Sequence, residues 1–313
     1  MIYTVTLNPA VDKEMVVPQI VFDAVLRAGV TRLDFGGKGF NVSRMLKSLG
    51  ADSTAVGFAG GKSGELLRDG LEGLGICTDF VWVGGETRTN VSIVTEPATH
   101  YVKANEPGPT ISAEELAELR RKVGLLARPG DWWVLAGSLP PGVTTAVYAH
   151  LIADIQAVGG RVILDTSGEA LGLGCAARPF LAKPNDVEAH QLTGLPVNNP
   201  AEIAAAAQAM QANGVDNVVV SLGKAGALLV DGRSVWRAIS PTIQERNPIG
   251  AGDSMVGGLV YALSQGHSVA EALRWGIACG AATASMPGTA VGTRQLVDSL
   301  LPQVVLEDRT AVA

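Results

Sequence analysis

The chain is poor in cysteine. Three of its 313 residues are cysteines, namely Cys77, Cys175 and Cys279. They lie far apart, without a CxxC pair or metal-ligand spacing, so the sequence indicates neither a disulfide framework nor a cysteine-based metal site. We interpret all three as buried apolar thiols of a protein from a reducing cytoplasm.

An excess of positive charge and long apolar runs are also missing. With 24 Lys and Arg against 30 Asp and Glu, the formal net charge is −6. Nucleic-acid-binding proteins show a basic face or stripe, so we expect no nucleic-acid partner. No apolar run approaches the roughly 18 residues of a membrane span, and the N-terminus has no basic leader. We therefore expect a cytoplasmic protein without a membrane partner.

Two common nucleotide-binding motifs fail by one residue each. The Gly-Lys-Ser at positions 61–63 would need a glycine at position 56 to form a Walker A loop, and Val56 stands there. The stretch Gly250-Ala251-Gly252-Asp253-Ser254-Met255 would need a third glycine at Met255 to form a dinucleotide fingerprint. The missing fingerprint counts against an NAD-dependent oxidoreductase, which would share an α/β architecture.

Strand-like and helix-like patterns alternate along most of the chain. At least five apolar runs of strand length are each followed by a helical pattern, beginning with residues 2–7 and 53–58. Such alternation predicts an α/β fold with a mostly parallel central sheet covered by helices on both faces. No repeat or Ser- and Pro-rich linker divides the chain, so we expect one domain over residues 1–313.

Two segments depart from this alternation. Residues 14–18 and 27–33 are too polar and too short to be central strands of a parallel sheet. Residues 91–95 and 101–104 flank a turn-like stretch at 96–99 and predict a hairpin. We expect the segments 13–33 and 88–104 to form a small separate sheet that projects from the main body.

A glycine-rich turn leads into an apolar helix near the C-terminus. Its residues are Gly250, Ala251, Gly252 and Asp253, followed by a run of small and apolar residues. At a helix start the unpaired amides of residues 250–252 would favour an anion. A carboxylate beside an anion site suits phosphoryl transfer, with Asp253 accepting a hydroxyl proton. The simpler alternative is that Asp253 only caps the helix.

A second glycine-rich turn lies near the N-terminus, at residues 36–39. Gly37 allows close approach of backbone to a ligand, Lys38 is cationic, and Asn41 can both donate to and accept from sugar hydroxyls. Upstream, Asn8-Pro9-Ala10-Val11-Asp12 predicts a turn after the first strand, with the Asp12 carboxylate at its tip.

The two glycine-rich stretches together resemble the two signatures of the PfkB (ribokinase-like) carbohydrate kinase family. The resemblance covers essentially the whole chain. It implies a ribokinase-like three-layer α/β/α fold with a small β-sheet lid, and ATP with Mg²⁺ as co-substrate. It also implies that Asp253 is the catalytic base, that the amides of residues 250–252 form the anion hole, and that Asp12, Gly37 and Asn41 bind the acceptor.

Asn185 and Glu188 lie three residues apart at a predicted helix start, where either helix capping or oxygen ligation of Mg²⁺ would suit them. The family's NxxE element favours the metal, with Glu188 acting indirectly. The resemblance further implies an ATP site at Lys183, Asn185, Ser221, Gly223 and Gly226. The small residues of a predicted helix at 269–285 would either leave room for adenine or allow close helix packing.

Cations on the predicted acceptor face indicate a substrate that already carries a phosphate. These residues are Arg27, Lys38 and Arg88. The detailed resemblance, which includes Ser138 in the stretch 137–142, is to the hexose-phosphate branch of the family. It implies ATP-dependent phosphorylation of a ketohexose phosphate, with fructose 1-phosphate favoured over fructose 6-phosphate and tagatose 6-phosphate.

Three further points concern partners and alternatives. The resemblance implies a homodimer paired through the lid. Asn247-Pro248-Ile249 replaces the Ser-Thr-Val-like run common in relatives, which leaves a monovalent-cation site open. A regulator that binds a sugar phosphate without catalysis is an alternative, but the presence of Asp253, Asn185 and Glu188 argues against it.

Overall fold

The strands of the protein form two sheets. The structure is a computed structural model that describes residues 1–95, 100–232 and 234–310, so the predicted turn at 96–99 lies outside the described residues. The strands are β1 (Ile2–Thr6), β2 (Ala10–Val17), β3 (Val30–Gly36), β4 (Thr54–Ala59), β5 (Cys77–Trp82), β6 (Arg88–Thr95), β7 (Tyr101–Asn105), β8 (Trp132–Ala136), β9 (Arg161–Asp165), β10 (Leu181–Ala182), β11 (Asn217–Ser221), β12 (Ala227–Asp231), β13 (Ser234–Ile239) and β14 (Val305–Asp308).

The α-helices of the described residues lie between strands along the chain. They are α1 (Lys38–Ser48), α2 (Gly61–Gly73), α3 (Ala113–Leu126), α4 (Val147–Ala157), α5 (Gly168–Ala176), α6 (Asp186–Thr193), α7 (Pro200–Ala212), α8 (Ala251–Ser264), α9 (Val269–Ala284) and α10 (Arg294–Leu300). Two single turns of 3₁₀ helix, Gly223–Ala225 and Leu301–Gln303, complete the described helical segments.

The larger sheet has the strand order β14-β13-β12-β11-β10-β9-β8-β1-β4-β5. The pairs from β11 to β5 are parallel, and the pairs β11–β12, β12–β13 and β13–β14 are antiparallel. The central strands β1 and β8 are buried along their whole length, as expected of strands covered on both faces. The prediction of a mostly parallel sheet is confirmed.

Successive residues of the central strands pack into different cores. Trp133 and Leu135 lie in one cluster with residues of α3, α4 and α7, whereas Trp132 and Val134 lie in a second cluster with residues of α1, α8 and α9. Alternation of side chains across a strand therefore produces two helical layers, one on each face of the sheet. The three-layer α/β/α architecture predicted from the resemblance is confirmed.

The smaller sheet has the order β3-β2-β6-β7 and contains strands from both predicted segments. The predicted bounds were too narrow, because β2 begins at Ala10 and β3 ends at Gly36. Asp12 therefore lies within β2, opposite Asp34 and Asn90, and the prediction that it sits at a turn tip is wrong. The strand begins directly after Pro9, since Ala10 pairs with both Gly36 and Arg88.

Three elements had no counterpart in the sequence prediction: α5, α10 and β14. Helix α5 contains three glycines, which lower helix propensity. A methyl group at Gly174 would lie 2.5 Å from Leu164 Cδ2, so this glycine lets α5 approach β9 closely. Tertiary packing here outweighs propensity.

The cysteine prediction holds for two of the three residues. Cys175 and Cys279 are buried, whereas Cys77 is exposed at the start of β5, so its predicted burial is wrong. Burial raises the pKa of the Cys175 thiol to about 12. Among the described residues, no helix is both long enough and apolar enough to cross a membrane.

Candidate active site

The carboxyl ends of neighbouring parallel strands bring distant residues together. Asp165 ends β9, Gly137 follows β8, and Lys183 follows β10. The Gly137 amide donates to Asp165 O at 3.0 Å, and the Lys183 amide donates to Leu164 O at 3.0 Å. Ligands of open α/β sheets bind at this edge. Helix α1 contributes Lys38 and Asn41, and helix α8 contributes Asp253.

Asp253 lies in the first turn of α8 and is 9% exposed. The Asn41 amide on α1 donates through Nδ2 to Asp253 Oδ2 at 2.8 Å, so the two glycine-rich motifs meet, although 212 positions separate these residues. Burial, reinforced by the negative charge of Asp165, raises the pKa of Asp253 to about 6, while the Asn41 hydrogen bond and the charges of Lys38 and Lys183 oppose this rise. The carboxylate is a stronger base than an exposed aspartate.

The turn before α8 leaves two of the three predicted anion-binding amides available. The N-cap is Gly250, with φ of 79°, a conformation that favours glycine. The Ala251 amide donates to Pro248 O at 3.1 Å and is therefore already paired, contrary to prediction. Within the described part of the chain the amides of Gly250 and Gly252 have no acceptor. A methyl group at Gly252 would have one neighbour within 4 Å, Lys183 Nζ at 3.8 Å.

Two lysines contact one buried carboxylate. Lys38 Nζ lies 3.0 Å from Asp165 Oδ1, and Lys183 Nζ lies 3.4 Å from Asp165 Oδ2. Burial disfavours the charge of Lys38, but the carboxylates of Asp165 and Asp253 outweigh it and raise the pKa of Lys38. Asp165 is 1% exposed, and its Oδ2 accepts no hydrogen bond from a described residue. The sequence prediction did not include Asp165, although its position at a strand end was a usable signal.

The predicted acceptor residues Asp12 and Asn41 line a small cavity of about 30 Å³ at one side of the α8 turn. Its other lining residues are Asp34, Ile249, Gly250, Thr283, Thr289 and Val291. Asn90 Nδ2 donates to Asp12 Oδ1 at 2.8 Å and orients that carboxylate, a role that sequence reasoning missed. Gly37 is the N-cap of α1, next to Thr6.

The other predicted acceptor residues occupy three different environments. Arg88 donates through Nη2 to Asn8 O at 2.9 Å and through Nη1 to Glu106 O at 3.2 Å, and burial lowers the pKa of its guanidinium. Ser138 is exposed in the loop after β8. Arg27 is exposed between β2 and β3. The structure does not bring Arg27 into contact with the other site residues.

A second, larger cavity of about 610 Å³ lies at the other side of the α8 turn. Asn185, Ser221, Gly223 and Gly226 line it as predicted, together with Ala251 and Gly252. Lys183 does not line it. The small residues of α9 do, namely Gly280, Ala281 and Ala284, which favours the hypothesis that they leave room for a ligand. Residues 240–243 and Glu245 also line this cavity and were not predicted.

Asn185 and Glu188 form a reciprocal capping box at the start of α6. The Glu188 amide donates to Asn185 Oδ1 at 2.8 Å, and the Asn185 amide donates to Glu188 Oε2 at 2.9 Å. The capping interpretation therefore describes what these side chains do in the structure. No group of three or more His, Cys, Asp or Glu side chains among the described residues is arranged to hold a metal ion. The site fits an ion that takes most of its ligands from water and phosphate.

A buried carboxylate at a helix start, with a small polar cavity on one side of the turn and a much larger cavity on the other, is an arrangement that suits phosphoryl transfer to an alcohol. The fold that carries it is that of the ribokinase-like kinases. The chain belongs to the pfkB family of carbohydrate kinases, whose profile matches residues 5–295.

Curated relatives and solved structures support this membership. The chain is 35% identical to the 1-phosphofructokinase of Borreliella burgdorferi, over 98% of this chain and 99% of the relative. It is 36% identical to the ATP-dependent 6-phosphofructokinase isozyme 2 of Escherichia coli, over 92% and 94%. The crystal structure of E. coli phosphofructokinase-2 in complex with potassium superposes with a TM-score of 0.92 at 34% identity, covering 96% of this chain and 98% of that one.

Proposed function

We propose that the protein transfers the γ-phosphoryl group of ATP to a ketohexose phosphate. The observation that carries the proposal is the position of the α8 turn between the two cavities. Gly250 lines the small cavity with Asp12 and Asn41, whereas Ala251 and Gly252 line the large one. A phosphoryl group that passes from one cavity to the other has to cross this turn.

The site residues divide the chemistry between them. In the proposed reaction a hydroxyl oxygen of the acceptor forms a bond to the γ-phosphorus, the bond to the ADP oxygen breaks, and Asp253 takes the hydroxyl proton. With a pKa near 6, Asp253 is charged at neutral pH and able to accept it. The amides of Gly250 and Gly252 stabilise charge on the transferring group, with Ala251 as their spacer. Lys38 and Lys183 place positive charge nearby.

Magnesium is expected with ATP. Asn185 lines the nucleotide cavity and Glu188 is bonded to it in the capping box, so these two residues would orient an ion held by phosphates and water. When bound, the ion neutralises phosphate charge. A requirement for a monovalent cation is open to test by exchange of potassium for sodium in the assay.

We favour fructose 1-phosphate as acceptor and fructose 1,6-bisphosphate as product. Positive charge from Lys38 and Arg88 at the acceptor side suits a substrate that already carries a phosphate. Curated relatives at 32–39% identity include several 1-phosphofructokinases, whereas the E. coli relative acts on the 6-phosphate by its name. Fructose 6-phosphate and tagatose 6-phosphate are therefore the competing acceptors.

The test is initial-rate ADP release by purified protein with MgATP and one acceptor at a time. The acceptors are fructose 1-phosphate, fructose 6-phosphate, tagatose 6-phosphate and unphosphorylated fructose. We expect the highest kcat/KM with fructose 1-phosphate and little rate with fructose. A preference for another phosphorylated ketose would overturn the acceptor assignment but keep the kinase. No rate above the acceptor-free control, with every acceptor, would favour the non-catalytic regulator.

We further propose a homodimer that pairs through the small sheet. Apolar side chains are exposed there, including Phe22 and Val25 between β2 and β3, each 82% exposed, and Tyr101 on β7 at 75%. An exposed apolar face of this kind is typical of an interface. Light scattering should give twice the chain mass for the wild type and the single mass for Phe22→Glu. Leu125→Glu, an equivalent change at exposed α3, should leave the dimer intact.

A further inference from the structure

Arg44 on α1 connects three separate parts of the site. Its Nη1 lies 3.0 Å from Asp34 Oδ2 at the end of β3, in the small sheet. Its Nη2 donates to Thr289 O at 3.2 Å, in the segment between α9 and α10. Its Nη1 also donates to Asn41 Oδ1 at 3.4 Å. The Arg44 side chain is 12% exposed, so these contacts form largely out of water.

The contact with Asn41 determines which way the Asn41 amide faces. A side-chain amide can present either its oxygen or its nitrogen to a neighbour. A guanidinium only donates, so the amide oxygen must face Arg44 and Nδ2 must face Asp253. The observed 2.8 Å bond from Nδ2 to Asp253 favours the charged form of the carboxylate. If the amide turned round, its oxygen would instead accept from protonated Asp253 and favour the neutral form.

We propose that Arg44 is a positioning residue that holds the Asn41 amide in the orientation required by ionised Asp253, and that its ion pair with Asp34 ties this orientation to the small sheet. Arg44 contacts neither cavity directly and acts through Asn41. The role in catalysis rests on the proposed kinase function, whereas the effect on Asp253 ionisation does not. Three other charged groups act on Asp253: Lys38 on α1, Asp165 at the end of β9, and Lys183 after β10.

The main experiment compares pH profiles of kcat/KM for the acceptor in wild type and Arg44→Met, which keeps the apolar stem of the side chain. Loss of a hydrogen bond to a charged group should move the acid limb of the variant upward by about one pH unit. The acceptor phosphate titrates identically in both assays, so a difference between the two pH profiles comes from the ionisation of a group on the enzyme. An acid limb at the wild-type pH would overturn the proposal.

Arg294→Met is the matched control. Arg294 also pairs with a carboxylate, Asp298, and donates to a carbonyl, Leu49 O at 3.0 Å, but it does not contact Asn41. Its loss should lower thermal stability comparably and leave the acid limb in place. A shift of equal size in this control would show that general destabilisation moves the limb. If Arg44→Met does not fold, Asp34→Asn tests the same network from the other side and should give a smaller upward shift.

A stability measurement separates this proposal from the kinase assignment. Because the pKa of Asp253 is raised in the folded state, its carboxyl group contributes stability at low pH that is lost as pH rises towards 6. The difference in Tm between proteins with Asp253 and with Asn at that position should therefore fall over this range. When both proteins also carry Arg44→Met, this Tm difference should go on falling to a pH about one unit higher. This result would support the proposal even if no hexose phosphate were a substrate, and an unchanged range would overturn it.

Discussion

The two glycine-rich turns look alike in sequence and differ in what surrounds them. In the first turn, where α1 begins, a methyl group at Gly39 would lie 2.7 Å from Thr6 Oγ1 and 2.9 Å from Val5 O. In the second turn, where α8 begins, a methyl group at Gly250 would meet nothing within 4 Å, and one at Gly252 would meet Lys183 Nζ at 3.8 Å. The first turn is glycine-rich because protein lies against it. The second borders the space of the two cavities.

Glycine therefore has a different structural role in each of the two turns. Glycines before α1 allow the helix to lie against β1, which places Lys38 and Asn41 at the site. At the start of α8, beside Asp253, the amides of Gly250 and Gly252 have no acceptor among the described residues, and added methyl groups would meet little. We therefore expect substitutions in the first turn to affect folding and substitutions in the second to affect chemistry.

The largest effect should come from Asp253→Asn in the second turn. The amide cannot accept the hydroxyl proton, so kcat should fall by about 10³-fold or more, while the affinity for ATP changes little. The measurements are steady-state kinetics and equilibrium nucleotide binding. Glu271→Gln, in the first turn of α9, is the control and should keep its activity. Turnover near the wild-type value in Asp253→Asn would remove this residue from the mechanism.

Gly39→Ala should mainly reduce stability. The added methyl group would overlap the backbone of β1, and relief of such overlap costs about 2–3 kcal/mol. Chemical denaturation should show a lower midpoint with an unchanged slope. The residual folded protein should keep a wild-type pH profile. A variant of wild-type stability would contradict the proposed packing role of the first turn.

Gly252→Ala should have the opposite profile. The methyl group meets no backbone, so the denaturation midpoint should stay near that of the wild type. It would project into the space proposed for the transferring phosphoryl group, and we expect kcat to fall by roughly tenfold to a hundredfold. A large loss of stability with unaltered kcat would show that the two turns do not differ in the way proposed.

The smallest effect is the pH dependence of the wild type. Since burial raises the pKa of Asp253 to about 6, the protonated and inactive form accumulates below that pH. We expect kcat/KM for the acceptor, which reports the free enzyme, to rise with pH through about 6 and, after correction for the titration of the acceptor phosphate, to be roughly tenfold lower at pH 5 than at pH 7. A rate that does not change between pH 5 and pH 7 would show that no group in the second turn limits the reaction by its ionisation.

Much of the fold follows from local patterns. Continuous apolar strands such as β1 and β8 predict burial on both faces, and the polar strands predict a second sheet. Cap residues mark the predicted helix starts at Asn185 and Ser112, whereas α10 was not predicted although Thr293 caps it. Helix α5 was missed because its glycines serve packing against Leu164, which local propensity does not reveal.

The sequence by itself determined the α/β class, the two signature turns and the small sheet, and it singled out Asp253 as the candidate base. These features depend on residue types and spacings within short stretches. The tertiary structure decided which residues meet: Asn41 with Asp253, Lys38 and Lys183 with Asp165, Asp12 with Asn90, and Arg44 with Asp34 and Thr289. The physical reason is strand order. β1 lies between β4 and β8, so residues more than 100 positions apart share one edge of the sheet.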